Sequence, residues 1–318
     1  MTDRFALGGG GTAPCITDNR NYCGGSYQGI IEKLDYTQDL GFGVIWISPI
    51  VANIEGVTAY GKAYHGYWAQ DITQLNPHFG SEADLIALSD ALHQRKMYLM
   101  VDVVVNHFGP ANTSTSYASF NPFKQPSYFH PYCLITDYNN QTDVEQCWLG
   151  DNNIALADAN MENSFVVETY YSWIQSLVKK YGVDGLRIDT VKHIRKDFWP
   201  AFAALSSVYT VGEVYDGDTT FAKDYTCQFL VISQPPFVFD PPFLWTNVID
   251  GVFHYPTLFP AFQASTGNLS ALSEVVLTAQ RSYKTGLFGS GAFPENHDQP
   301  RFPSLTSDTA ASAFGSGG

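Results

Sequence analysis

The sequence predicts an α/β fold with parallel strands, either a (β/α) barrel or a doubly wound sheet, on three observations. Amphipathic helical stretches alternate with short apolar runs, those runs recur at wide spacing, and most of them end in acidic or other polar residues. Taken in order, Gly8 to Gly11 reads as a loop. Ile30, Ile31, Leu34 and Leu40 suit a helix that Gly41 stops, and Val44-Ile45-Trp46-Ile47 follows as a buried strand. Ser81, with Asp84 three residues on, starts a second helix whose Leu85, Leu88 and Leu92 share a face; Tyr98 to Val105 is the next strand. Val166, Tyr170, Ile174, Leu177 and Tyr181 form a third stripe. Lys179 and Lys180 suit the negative end of its dipole, Gly182 caps it, and Val183 to Ile188 returns as strand. Val208 to Val214, Val248 to Phe253 and Phe288 to Phe293 are further predicted strands. No short-period repeat is present, which excludes a solenoid.

The 318 residues exceed an average domain but fit one large barrel. Hydrophobic residues make up 45% and charged ones only 15%, enough to bury a core and unlike a disordered composition. With 31 acidic against 17 basic residues the net charge is −14, a field that repels phosphate backbones and anionic lipid, so nucleic acid and acidic membranes are excluded as partners. Asp102 interrupts the run from Tyr98 to Val105, and four prolines with Asp240 interrupt Phe229 to Trp245, so neither is expected to span a bilayer. The 6 Trp, 19 Tyr and 22 Phe suit surfaces that stack on flat apolar faces such as sugar rings.

Two signals of location disagree. Met1 leads into Thr2, Asp3 and Arg4 without an apolar leader, so no secretory signal is visible. Yet Cys15 and Cys23, eight apart, and Cys133 and Cys147, fourteen apart, lie among polar loop residues as for two short-range disulfides, and sequons at Asn112, Asn140 and Asn268 point the same way. Cys227 is left over. A secreted protein whose natural N-terminus is missing reconciles the two.

The strand ends carry the chemistry. Asp102, Asn106 and His107 follow one apolar run, Arg187 and Asp189 another, Glu213 a third and His297-Asp298 a fourth. One acid after a strand is ordinarily a helix N-cap, but in a barrel all C-terminal strand ends face one cavity, so four such segments would converge there. Arg187 and Asp189 share a strand face, so the guanidinium should keep Asp189 ionised as a nucleophile must be; a purely structural ion pair is the plainer alternative. Glu213 lies on the next strand, about 4.8 Å away, which allows the separation of about 5 to 5.5 Å between the carboxyl groups of a retaining glycosidase. Near another carboxylate in a dry pocket, Glu213 would keep its proton and act as general acid.

These residues resemble the alpha-amylase family of glycoside hydrolases, most closely the secreted fungal members. The matching motifs are Asp102-Val-Val-Val-Asn106-His107, Gly185-Leu-Arg187-Ile-Asp189-Thr-Val-Lys192-His193, Gly212-Glu213-Val214, Phe293-Pro-Glu-Asn-His297-Asp298, and Ala59-Tyr60 through Tyr64-His65-Gly-Tyr67-Trp68. The resemblance implies a (β/α)8 barrel with Asp189 as nucleophile, Glu213 as proton donor and then base, and Asp298 as the acid that distorts the reacting sugar. Tyr67, His65, Trp68, His107, Arg187 and His297 would bind that sugar, and Lys192 and His193 the next one on the leaving-group side. It also implies Ca²⁺ held by the oxygens of Asn106, Glu145, Asp158 and the His193 carbonyl, all hard donors. Outside the motifs, His78, His93, His130 and His254 are read as packing residues.

The same resemblance implies one partial catalytic domain over 1–318, with a loop subdomain at about 107–160 after the third strand. The first and last barrel strands and a C-terminal β-sandwich domain are expected to be absent, and residues 228–245 are read as an intron carried into the sequence. The implied activity is endo-hydrolysis of α-1,4 bonds in starch, glycogen or maltooligosaccharides by a secreted monomer. A transglycosylating glucanotransferase and an inactive, at most glucan-binding product are the alternatives.

Overall fold

The computed structural model describes residues 1–109, 116–226, 248–264, 269–283, 286–293 and 295–299. Cys227, the segment 228–245 and the sequons at Asn112 and Asn268 lie outside the described residues. The chain divides into two compact units, Met1–Tyr209 and Thr210–Gly318.

The first unit holds β1 (Val44–Ile47), β2 (Val51–Asn53), β3 (Ala69–Leu75), β4 (Tyr98–Val103), β5 (His107–Phe108), β6 (Leu149–Gly150), β7 (Ala155–Asp158) and β8 (Gly185–Ile188). The strands β1, β4 and β8 form a parallel ladder in that order, with Ile47 opposite Val101 and Asp102 opposite Arg187. Between them run the helices Glu82–Gln94 and Ser164–Tyr181, as helix-then-strand patterning predicts. The capping box is formed: Ser81 Oγ accepts from Asp84 N at 3.2 Å, and Asp84 Oδ2 accepts from Ser81 N at 2.8 Å. Leu85, Leu88 and Leu92 of one helix and Val166, Tyr170 and Ile174 of the other are fully buried, each aliphatic side chain contributing about 1.5–3 kcal/mol. Gly182 ends the second helix at φ 60°, where an added Cβ would meet Ser89 Oγ at 2.9 Å; instead that hydroxyl donates to the Gly182 carbonyl at 3.0 Å and ties the helices together.

Sequence patterning misses the antiparallel pair β2–β3, and it merges two helices into one. The stretch from Ile30 to Leu40 is split into Tyr27–Ile31 and Leu34–Asp39. The break coincides with long-range ties: the Glu32 side chain, at the end of the first helix, accepts the N–H groups of Gly9 and Gly10, and Gly29 packs so tightly that a Cβ would lie 2.0 Å from the Ala6 carbonyl oxygen. After β4 the segment 107–160 builds its own antiparallel sheet in the order β5-β7-β6. Phe108, Phe120, Phe123 and Phe129 are its buried aromatic cluster, and the disulfides pair as expected, Cys133 with Cys147 and Cys15 with Cys23.

In the second unit β9 (Tyr209–Gly212) and β10 (Gly251–Val252) pair in parallel. The predicted strand Val248–Phe253 shrinks because Ile249 N bonds the Tyr225 carbonyl and Asp250 Oδ2 takes both the N–H and the hydroxyl of Thr210. The predicted strand Phe288–Phe293 is instead a 3-10 turn, Gly286–Gly289, followed by a single parallel bridge from Gly291 to Phe253. Glycines at 289 and 291 supply no side chains to pack, and Phe288 is 95% exposed.

His254 is fully buried; its Nδ1 accepts from Thr257 N at 3.1 Å, Nε2 meets no partner among the described residues, and burial lowers its pKa to about 4. The folded state therefore resists a proton that the unfolded chain takes up near pH 6.5. Stability is full above that pH and falls as the pH drops toward 4, by at most about 3 kcal/mol. His254→Asn, which keeps an acceptor and does not titrate, should flatten this part of the Tm-versus-pH curve; an unchanged slope would refute the assignment.

Candidate active site

Because β4 and β8 pair in parallel, Asp102 and Arg187 stand side by side, and the bond from Asp189 N to the Val103 carbonyl at 2.9 Å carries the ladder one step further. Arg187 is 1% exposed. Its Nη1 donates to both carboxylate oxygens of Asp102 at 3.0 and 3.1 Å and to Asp189 Oδ1 at 2.6 Å. Asp102 Oδ2 also accepts from the Tyr67 hydroxyl at 2.6 Å and from Trp46 Nε1 at 3.2 Å. The guanidinium lies 5.4 Å from the Trp46 ring and 5.7 Å from the Tyr67 ring. Burial pushes the Asp102 carboxyl up to about 7, against the pull of Arg187, and burial also holds the Tyr67 hydroxyl well above its ordinary value, so Tyr67 is a donor. The arrangement fixes Asp189 at the strand end.

Around Tyr67 sit three more of the expected residues. His65 Nδ1 accepts from Tyr67 N at 3.0 Å, its ring stacks on that of Tyr67 and meets Trp68 edge-on at 4.3 Å, and burial lowers its pKa to about 4, so it is neutral. His107 Nε2 donates to the Tyr67 carbonyl at 3.2 Å. Lys192 and His193 lie in a 3-10 turn after β8, both buried. Neither ring nitrogen of His193 has a hydrogen-bond partner among the described residues, and burial lowers its pKa to about 3. Tyr138, whose ring lies under the Lys192 ammonium at 5.7 Å and against His193, is 57% exposed.

Of the expected metal ligands, Asn106 and Asp158 are neighbours across the β5–β7 pairing, and Ala159 N donates to the Asn106 carbonyl at 2.8 Å. Asn106 Oδ1 and Asp158 Oδ1 are buried oxygens with no hydrogen-bond partner among the described residues. Burial pushes Asp158 up to about 7 and raises Glu145 as well. Gln141 links Glu145 to the turn that carries His193, donating to Glu145 Oε1 at 2.7 Å and to the Lys192 carbonyl at 2.8 Å. No group of three or more His, Cys, Asp or Glu able to hold a metal occurs among the described residues. The expected set has only two carboxylates, completed by an amide and a carbonyl, and its two orphaned oxygens are what a hard cation takes.

The second unit gathers the remaining acids. Tyr255 OH donates to Glu213 Oε1 at 3.4 Å, Asn296 Nδ2 donates to the Tyr255 oxygen at 3.2 Å, Asp298 N donates to Asn296 Oδ1 at 2.9 Å, and His297 Nε2 lies 3.3 Å from Asp298 Oδ2. Glu213 and Asp298 are thus joined through Tyr255 and Asn296. Asp189 belongs to the first unit.

Residues 1–315 match the alpha-amylase catalytic domain. The chain belongs to the alpha-amylase family. It is 48% identical to alpha-amylase 1 of Lipomyces kononenkoae over 97% of this chain and 47% of that protein, and 46% identical to alpha-amylase 2 of Schwanniomyces occidentalis over 98% and 58%. It therefore spans about half the length of the curated alpha-amylases it matches. Among solved structures, an alpha-amylase from Malbranchea cinnamomea superposes with a TM-score of 0.87 at 43% identity, covering 98% of this chain and 63% of that one. The alpha-amylase of Geobacillus thermoleovorans, solved with acarbose, gives 0.78 at 31% identity over 96% and 62%.

Within this chain Asp102, Trp46, Tyr255 and Asn296 are residues of the site to which sequence reasoning assigns no role. Asp102 and Asn296 stand within motifs named above, whereas nothing local marks Trp46 or Tyr255. Removing Asp102 by Asp102→Ala should cost about 3 kcal/mol, because it takes a buried guanidinium's larger partner away. Urea unfolding checks this, and a loss below about 1 kcal/mol would show that Asp189 alone satisfies Arg187.

Proposed function

We propose that the chain is the catalytic part of a secreted, monomeric endo-acting hydrolase of α-1,4-glucosidic bonds in starch, glycogen and maltooligosaccharides, working with retention of configuration. The observation that carries the reading is Asp189, held at 2.6 Å by a buried Arg187 at a strand end in a chain of this family. Asp189 attacks C1 of the sugar while Glu213 gives its proton to the glycosidic oxygen, which departs with the rest of the glucan. Glu213 then takes a proton from water, the water oxygen bonds C1, and the Asp189 carboxylate is released. Asp298 and His297 hold the hydroxyls of the reacting ring, the rings of Tyr67 and Trp68 give it a stacking surface, and His65 and His107 hydrogen-bond to it. The His193 imidazole, whose nitrogens meet no hydrogen-bond partner among the described residues, and Lys192 bind the sugar on the leaving side.

The residues present fit calcium: Asn106, Asp158, Glu145 and the His193 carbonyl would hold it. Bound there, the ion would supply positive charge that joins the loop subdomain, 107–160, to the strand end carrying Asp189.

Two tests follow from these roles. With starch as substrate, Glu213→Gln should lower kcat by about 10²–10⁴-fold with Tm unchanged, and proton NMR should show the α-anomer released first; initial β-anomer would overturn the retaining mechanism. Returning Ca²⁺ to EDTA-stripped protein should raise stability, by about 2.7 kcal/mol at a hundred times Kd. A Tm indifferent to calcium in differential scanning calorimetry would remove the ion from the account.

A further inference from the structure

Sequence reasoning gives His130 no role, yet its surroundings are not those of a packing residue. The side chain is buried, and both ring nitrogens face carboxylates: Nδ1 lies 2.6 Å from Asp158 Oδ2 and Nε2 lies 2.6 Å from Glu162 Oε2. Its main chain is fixed as well. His130 N donates to the Asp158 carbonyl at 2.9 Å, the preceding Phe129 bridges to Ala159, and Trp148 Nε1 donates to the His130 carbonyl at 3.1 Å. The ring is therefore anchored to the strand whose carboxylate it grips.

We propose that His130 is a positioning residue for the calcium site, engaging Asp158 Oδ2 so that Oδ1 is turned toward the ion, with Glu162 fixing the plane of the ring from the other side. The inference rests on the calcium reading above. It is carried by the division of labour within one carboxylate. Oδ2 is occupied by His130, while Oδ1 is buried and meets no well-aligned hydrogen-bond donor among the described residues, the Asn106 amide approaching the carboxylate without such a bond; Asn106 Oδ1 of the facing segment is likewise without a partner among them. A buried oxygen left without a donor is costly, a carboxylate oxygen more so, and an arrangement that commits one lone-pair edge to an imidazole and leaves the other open is suited to a cation. Histidines and carboxylates commonly orient one another around metals in this way, and losing such a partner typically weakens metal binding by about 10–100-fold.

Two substitutions separate positioning from simple structural pairing. An asparagine amide reaches the place of the imidazole Nδ1, whereas a glutamine amide reaches that of Nε2. His130→Asn should therefore keep the donor to Asp158 and most of the calcium affinity. His130→Gln should keep the contact with Glu162 and lose about 10–100-fold in affinity. Both are read by isothermal titration of CaCl₂ into the EDTA-stripped full chain, together with Tm with and without calcium. Equal affinities for the two variants and the parent chain, with Tm lowered alike in both conditions, would overturn the proposal. Glu162→Gln, at a half-exposed side chain, gives a folded variant should the others not fold. It should bind calcium several-fold more weakly, near the low end of the outer-shell range, and an unchanged affinity counts against the relay. If the parent chain itself binds no calcium, the site fails and the proposal fails with it.

Discussion

A guanidinium sealed inside a sheet has to be neutralised where it stands, and that requirement organises the first unit. Arg187 points along the strand end and is met by Asp102 from the neighbouring strand and by Asp189 two residues on. Three elements are constrained at once. The register of β4 against β8 cannot slip by a residue without removing Asp102 from the guanidinium. Tyr67, delivered by the segment between β2 and β3, is locked by its hydroxyl to the same carboxylate, and Trp46 of β1 reaches it through its indole N–H. The position of Asp189 is thus a property of the sheet rather than of a loop.

The legible part of the fold was the part governed by local periodicity and termini. The stripes from Leu85 to Leu92 and from Val166 to Tyr181, the Ser81 capping box and the Gly182 stop all act within a few residues of themselves, and all were readable. The failures share the opposite character. The helix expected from Ile30 to Leu40 ends where glycines more than twenty residues upstream donate to the Glu32 carboxylate, and the expected strand at Phe288–Phe293 lacks the side chains that would hold it on a sheet. An apolar count registers neither.

The site divides in the same manner. Motif residues could be named because their motifs resemble those of the family, but most of the residues that hold them in place come from elsewhere in the chain. Tyr255 and Asn296 join Glu213 to the segment of Asp298 across some forty to eighty positions, and His130 reaches Asp158 across 28. Their chemistry is ordinary: a tyrosine, an asparagine, a histidine with nothing in the flanking sequence to distinguish it. Only the pairing of segments gives them a task.

The bond between Tyr67 N–H and His65 Nδ1 settles where that imidazole keeps its proton. With Nδ1 consumed as an acceptor and the ring uncharged, the hydrogen resides on Nε2 and has no alternative seat. That edge is a one-way recognition element: it greets an oxygen lone pair and is blind to an incoming O–H. Any hydroxyl that settles against it must turn its own hydrogen elsewhere, so a single backbone amide two residues away fixes which way such a group faces without touching it.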